Sequence, residues 1–502
     1  MEQYKTYEMS FECGNPFAEV TAVFTDESGV STTVRGFASG GNEVKVRFYP
    51  SACGRYTYKV SGEVEASGSV LCAAAGSGAD SHGIVRASGT HFRHDDGTWF
   101  YPFGTTVYAL AHQDKELVDR TMETLSSSPF NKVRMCVFPK HYEYNHNEPE
   151  LFAFERNEDG RFDMRRPCLE FFNEFERRIN ELGSMGIQCD LILFHPYDRW
   201  GFADMGMEEA KCYLDYIIRR LSAFPNVWWS LANEFDLMKY THSEWEEIAG
   251  FVSECDAYKH LLSNHNCIEY WDFDNKDTTH ICLQIKNCDE VSGFIRKYGK
   301  PLMVDECCYE GNIPYEWGNI TAFEMVNRFW TAAVQGGGCT HGETYLSDDD
   351  ILWWSRGGLL KGESPERISF LKDIIDSLSG PVTYCGFEFT REKYDEINAN
   401  PDTAENDFWR AVARAPWERA KGAMLNGKEY VGCVGEEAYI KYLGRKCAAF
   451  TDFNLPENHI YDVEIIDVWN MTRKTILSGV SGKLKVELPG TEGTALLARR
   501  IH

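Results

Sequence analysis

"NVWWSLANEFDLM", residues 226–238, decides the reading of this chain. The stretch is bulky and apolar, then stops on an amide and a carboxylate, Asn233 and Glu234. A strand that is apolar along its length is buried on both faces, as strands of a parallel sheet are. A polar tip on such a strand delivers its side chains to the end of the sheet.

Runs of the same texture recur on both sides from about residue 84: "GTWFYPFGTT", "NKVRMCVF", "IQCDLILF", "HLLSN", "HICLQI", "KPLMVDE" and "CTHGETYL". Helical patterns such as "LEFFNEFERRINELGSMG" separate most of them. The gap between "HLLSN" and "HICLQI" is too short and polar for a good helix. Eight βα units over about 300 residues predict an α/β fold of the (β/α)8 TIM-barrel type, assigned to residues 84–380. A doubly wound open sheet is the alternative, but no Gly-rich phosphate loop follows the first strand.

The flanks read as β-structure. In residues 1–78, "NEVKVRFYP" and "GRYTYKVSG" alternate with period two and predict an Ig-like β-sandwich. "AAAGSGADSHG", 73–83, reads as a linker. From 381 to 502, segments such as "EYVGCVG", "YDVEIIDVWN", "GKLKVELPG" and "TALLARRIH" predict a second β-sandwich.

Composition narrows the function. The net charge of −26 disfavours nucleic acid and anionic membrane surfaces. No apolar run reaches the length of a membrane span. The 14% aromatic content fits a core, and equally a carbohydrate-binding cleft. The 17 cysteines are scattered, odd in number and without a C-x-x-C pair. They read as free thiols of a reducing compartment, and with no apolar leader at "MEQYKTYEMSFECG" the expectation is a cytoplasmic protein.

Active sites of such barrels lie at the C-terminal ends of the strands. The ends carry Thr105, Thr106 and Tyr108; Arg134; His195, Tyr197, Asp198 and Trp200; Asn233 and Glu234; Asn264 and His265; Gln284; Asp305 and Glu306; and His341, Glu343 and Tyr345. Glu234 and Glu306 end strands four and seven, on opposite sides of the mouth. Hydrolysis of a glycosidic bond uses such a pair: one carboxyl protonates the leaving oxygen, the other attacks the anomeric carbon or activates water. The long segment 139–168, rich in His, Tyr and Phe, reads as a substrate-facing wall. Trp353 and Trp354, in a Gly-flanked polar stretch, read as a stacking platform for sugar faces. Trp228 and Trp229 are adjacent on strand four, so one faces the barrel interior and one the helices.

"WWSLANEFD" and "KPLMVDECCY" resemble the two catalytic strand ends of the clan A, or 4/7, retaining glycoside hydrolases. "FYPFGTTVYAL", "NEF" and "GGCTHGETYL" further resemble the apiosidase-like glycosidases, which carry an N-terminal Ig-like domain and a C-terminal β-domain. The resemblance implies Glu234 as general acid/base and Glu306 as nucleophile. It implies that Asn233 bonds the sugar 2-hydroxyl, that Arg134 keeps Glu306 ionised, and that His195 lines a subsite. Family members place a Tyr or His near the end of strand six; here Gln284 or His280 takes that place.

Each residue also has a plainer reading. Arg134 fits a structural ion pair, His195 a packed core histidine, and His341 with Glu343 barrel packing in place of substrate contact. A zinc hydrolase would draw on His195, His265, His341 and Asp305, but the His-x-His usual on strand one is absent. A glycan-binding barrel without activity would not need both glutamates. The expectation is a retaining hydrolase of β-linked oligosaccharides or glycosides, with Tyr108, His341 and Glu343 beside the substrate and neither metal nor cofactor. The two carboxyls should stand roughly 5 to 5.5 Å apart. Whether the chain forms a homo-oligomer is left open.

Overall fold

The computed structural model describes residues 1–424 and 427–501. Eight parallel strands form its centre: β1 Phe103–Thr106, β2 Lys132–Cys136, β3 Gln188–Phe194, β4 Val227–Ala232, β5 Leu262–Ser263, β6 Ile281–Gln284, β7 Leu302–Glu306 and β8 Gly338–His341. The ladder runs β5-β4-β3-β2-β1-β8-β7-β6. Every residue of β2, β3, β4 and β7 is buried, which is what their unbroken apolar texture requires. Between β5 and β6 there is no ladder. That seam is closed by the Thr279 amide on the Leu262 carbonyl (2.8 Å), the Leu262 amide on Thr279 Oγ1 (2.8 Å) and Ser263 Oγ on the His280 carbonyl (2.7 Å). The result is a nearly closed (β/α)8 TIM barrel.

Helices cover the outside with one apolar stripe each. Leu169–Ser184 buries Phe171, Phe172, Phe175, Ile179 and Leu182. Thr241 and Glu244 close a reciprocal capping box at the start of His242–Cys255. Residues 264–280, between β5 and β6, contain no helix.

The first barrel strand is shorter than its apolar run. Pro102 cannot donate to a ladder, and "GTWFYPFGTT" splits there. Trp99–Phe100 pairs antiparallel with His91–His94, which pairs with Val85–Ser88. This small sheet packs Val85, Phe92 and Phe100 against Trp228, Leu261 and Met303. Trp228 Nε1 donates to Gln188 Oε1 (3.1 Å), while Trp229 Nε1 donates to Asp256 Oδ2 (3.0 Å).

Residues 1–72 form a three-stranded sheet (Tyr7–Glu12, Glu43–Phe48, Phe37–Gly40) and a four-stranded one (Ser31–Arg35, Val20–Thr25, Gly54–Gly62, Ala66–Cys72). Phe24 stacks on Phe48 at 4.1 Å in their shared core. Arg47 reaches from here to Glu176 and to the Arg220 carbonyl, which ties these sheets to two barrel helices. All of this belongs to one compact unit, residues 1–326 and 337–372.

The second unit contains residues 327–336 and the chain from 373. Here the expected strands are present. Three helices the sequence reading did not include, Arg391–Ala399, Asp407–Arg414 and Trp417–Ala423, stand before most of them. They enclose a small core of Phe389, Tyr394, Val412 and Ala420. A six-stranded antiparallel sheet and a two-stranded one follow. Of "TALLARRIH", Thr494–Arg500 is a strand; His502 lies outside the described residues.

Candidate active site

The barrel is polar inside. Lys132 Nζ donates to Asp190 Oδ2 (2.6 Å) and Asp305 Oδ1 (2.7 Å), and Thr340 Oγ1 also donates to Asp305 Oδ1 (2.8 Å). Arg134 lies 3.5 Å from Asp190 and 4.0 Å from Asp305. Burial alone would raise the Asp305 carboxyl; Lys132 and then Arg134 hold it far below the usual range instead. Two cations and two carboxylates thus offset one another beneath the mouth.

Glu234 and Glu306 stand above this layer, 6% and 5% exposed. Glu234 has a left-handed backbone (φ 59°), a conformation costly for a residue with a side chain. That turn ends β4 abruptly. It also presents the carboxyl to the mouth, while the Glu234 amide donates to His265 Nδ1 (3.3 Å) and the Phe235 amide to the His265 carbonyl (2.9 Å). The carboxylate accepts from the Tyr197 hydroxyl, from Asn233 Nδ2 (3.2 Å) and from Gln284 Nε2 (3.2 Å).

Glu306 accepts from the Tyr108 hydroxyl and from Trp317 Nε1 (3.2 Å). Arg134 Nη1 stands 3.9 Å from its Oε1, and His265 Nε2 also 3.9 Å. Burial, then the Glu234 charge, pushes the Glu306 carboxyl up; Arg134, Lys140 and the Tyr108 bond pull it down. Burial raises the Tyr108 phenol well above its ordinary value, so it stays a neutral donor.

The two carboxylates are joined through one chain of contacts. Tyr108 donates to Glu306 and lies 2.8 Å from Asn233 Oδ1, and Asn233 donates in turn to Glu234. His265 touches both ends. Since its Nδ1 accepts from an amide, its proton is on Nε2, facing Glu306; burial keeps the ring neutral.

Other expected residues fall in different places. Trp353 and Trp354 start a short helix, Trp353–Arg356, and point opposite ways. Trp354 joins the wall beside Tyr142 (5.1 Å), Tyr309 (5.4 Å) and Tyr108 (6.4 Å). Trp353 is buried and donates to Thr105 Oγ1 (2.8 Å). His195 is buried too; its Nε2 donates to the Phe138 carbonyl (3.2 Å), and burial pushes the ring down to about 3. His341 stacks on Phe130 at 4.8 Å, with Nδ1 3.2 Å from Thr105 Oγ1. Glu343 accepts the Lys361 amide (2.6 Å) and the Gly362 amide (2.8 Å). These four residues are engaged in packing and loop anchoring. His280 packs on Phe92 and Trp228, and Gln284 bonds Glu234, not Glu306.

The contacts that hold Glu306 come instead from the stretch after β7: Trp317, and Tyr309, whose hydroxyl also faces this carboxylate. Both follow Glu306 closely in sequence, but loop geometry decides which aromatics turn back. The segment 139–168 contributes Lys140 and Tyr142 to the wall. Two side-chain groups among the described residues have metal-ligand chemistry, Cys288–Cys307–Cys339 and Glu310–His341–Glu343, each with atoms within 4.8 Å. Neither contains Glu234 or Glu306.

Comparison with known proteins follows this geometry. Residues 86–367, more than half of the chain, match the family described as apiosidase-like, catalytic domain. Residues 1–63 and 428–499 match two families described only as domains of unknown function. Among solved structures, a "putative glycoside hydrolase" from Bacteroides vulgatus ATCC 8482 is similar at 32% identity and TM-score 0.85, covering 100% of this chain and 99% of its own. A structure described as a glycoside hydrolase has 12% identity and TM-score 0.60, over 84% of this chain and 97% of its own. A family 5 glycoside hydrolase from the same Bacteroides strain has 13% identity and TM-score 0.59, over 83% and 94%. These last two share the fold. No curated protein matches the sequence.

Proposed function

The chain belongs to the apiosidase-like family, and from that premise we propose a retaining glycoside hydrolase that cleaves β-linked oligosaccharides or glycosides by double displacement. Glu306 is the nucleophile and Glu234 the general acid/base. The observation that carries this is the chain of contacts Glu234–Asn233–Tyr108–Glu306, which places two buried carboxyls in one cluster. In the first step Glu306 attacks the anomeric carbon as Glu234 protonates the leaving oxygen. In the second, Glu234 takes a proton from water, which displaces Glu306.

Asn233 donates to Glu234 and its Oδ1 lies beside the Tyr108 hydroxyl, so its contact with the sugar 2-hydroxyl would hold that hydroxyl in register with the chain. Arg134 acts on Glu306 at 3.9 Å, through charge and not through a hydrogen bond. Trp354, with Tyr142 and Tyr309, supplies the aromatic face for the sugar. Residues 1–78 and 381–502 act as β-rich flanking domains, the first Ig-like. The free thiols fit a reducing compartment such as the cytoplasm. Among the described residues no helix is long and apolar enough to cross a membrane.

The test is chromophore release from a panel of aryl glycosides, with and without azide. Wild type should cleave one glycone with retention. Azide should rescue Glu306→Ala and Glu234→Ala to products of opposite anomeric configuration. Full activity in either variant, or inversion by wild type, overturns the assignment. A crystal structure should place the carboxyls roughly 5 to 5.5 Å apart.

A further inference from the structure

Lys140 follows β2 by four residues and is 3% exposed. Its ammonium stands 3.5 Å from the centre of the Tyr108 ring, 4.3 Å from that of Tyr197 and 5.0 Å from that of Tyr142. Among the described residues it has no carboxylate within ion-pair distance and no hydrogen-bond acceptor; its contacts are ring faces. Taking an ammonium out of bulk water is costly, and ring faces return only part of that cost. Something other than stability accounts for it.

Two of the three rings are the ones whose hydroxyls hold the carboxylates: Tyr108 donates to Glu306 and Tyr197 to Glu234. A cation on a phenol's face draws electron density from the ring and makes the hydroxyl a stronger donor. The other groups facing Lys140 are Arg134, the Cys136 thiol, and the His195 and His265 rings. Lys132 bonds Asp190 and Asp305, and Arg134 stands between these aspartates and Glu306 without reaching Glu234. The thiol is pushed up to about 12 by burial, and both histidines are neutral. Lys140 is the cation that faces both Glu234 and Glu306.

In a double displacement the site carries one mobile negative charge. It starts on Glu306 while Glu234 holds the proton. When the bond from Glu306 to the anomeric carbon forms and the bond to the leaving oxygen breaks, the proton goes to that oxygen and the charge passes to Glu234. Attack by water returns the proton to Glu234 and the charge to Glu306. We propose that Lys140 is the shared counter-cation of the two glutamates, a positioning residue that acts through Tyr108 and Tyr197 to stabilise the charge on either one. The inference rests on the assignment of Glu234 and Glu306 above.

The experiment titrates the two carboxyl carbons by NMR in protein labelled at the glutamate side-chain carboxyl. Signals are assigned by their loss in Glu234→Gln and Glu306→Gln. Wild type, Lys140→Met and Lys140→Arg are compared. Losing the cation destabilises both carboxylates, so Lys140→Met should move both titrations to higher pH by about one unit, and Lys140→Arg should not. On a cleaved glycoside, both limbs of the kcat/KM profile should move upward together, the bell shifting without narrowing. Unmoved titrations, or a uniform loss of activity with fixed limbs, would overturn the inference and leave Lys140 a packing residue. A rise in KM alone would make it a substrate contact, and would also overturn it. Full activity in Glu234→Ala or Glu306→Ala would instead sink the underlying pair, whatever Lys140 does.

Discussion

At the tip of β4, Glu234 is held by neutral donors, Tyr197, Asn233 and Gln284. At the tip of β7, Glu306 is held by Tyr108 and Trp317 and faces the Arg134 guanidinium at 3.9 Å. The backbone differs as well. Glu306 is the last residue of its strand, beside a register shift against β6, whereas Glu234 is turned out of its strand in a left-handed conformation. Identical side chains in unequal surroundings suit unequal tasks: neutral donors tolerate a carboxyl that gains and loses a proton, and a nearby cation favours one that stays ionised.

The sharpest break of this comparison is removal of each carboxyl. On the proposed reading, Glu306→Ala lowers kcat on an aryl glycoside by about 10^4-fold or more, whatever the leaving group. Glu234→Ala costs about 10^2- to 10^4-fold for a poor leaving group and much less for a good one, which needs no protonation. Equal sensitivity of the two variants to leaving-group pKa, read from a series of substituted phenyl glycosides, would erase the distinction between the tips.

The tyrosines test it more gently. Tyr108→Phe removes contacts to both Asn233 and Glu306 and should reduce kcat/KM by about 10^2-fold. Tyr197→Phe removes one donor from Glu234 and should cost nearer tenfold. The reverse order in steady-state kinetics would mean that the chain through Asn233 is not what couples the pair.

Glu343, beyond β8, is the internal control: a third buried carboxyl that binds the amides of Lys361 and Gly362. Glu343→Gln should leave kcat within about threefold of wild type, as expected for a group outside the reacting pair. Its effect is on stability. Burial pushes this carboxyl up to about 7 from 4.5. The folded chain therefore holds the proton more tightly than the unfolded one. The stability this contributes is fully present below about pH 4.5 and is lost as pH rises through about 7, by an amount on the order of a few kcal/mol. Urea unfolding across that window should show a flatter pH dependence for Glu343→Gln than for wild type.

The barrel and its two glutamates were legible because burial writes itself into composition. β2, β3, β4 and β7 are wholly buried and mostly apolar, so the strands and the glutamates at their ends stand out, while the charges Lys132, Arg134, Asp190 and Asp305 offset one another inside. What direction decides was not legible. Trp353 and Trp354 look alike in sequence, yet the short helix they start sends one to Thr105 and the other to the wall. Tyr309 and Trp317 reach Glu306 only because the loop after β7 folds back, and no spacing encodes that. The β1 run looked longer than its strand because Pro102, not hydrophobicity, divides it. The helices between 391 and 423 were hidden for a different reason. They are only 9, 8 and 7 residues long, about two turns each, which is too short a window for an apolar period to be told from the strand texture around it.

The closure between β5 and β6 has a consequence for heat. Hydrogen bonds of Thr279, Ser263 and Asn266 close the ring where other neighbours share a ladder. The chain just past β5 carries His265, and β6 ends on Gln284, so the joint lies beneath residues that touch both carboxylates. Local opening there separates the reacting groups while the rest of the barrel keeps its core. Thermal inactivation should therefore precede the loss of helical signal, with amide exchange fastest to rise around this joint: the catalyst fails before the fold does.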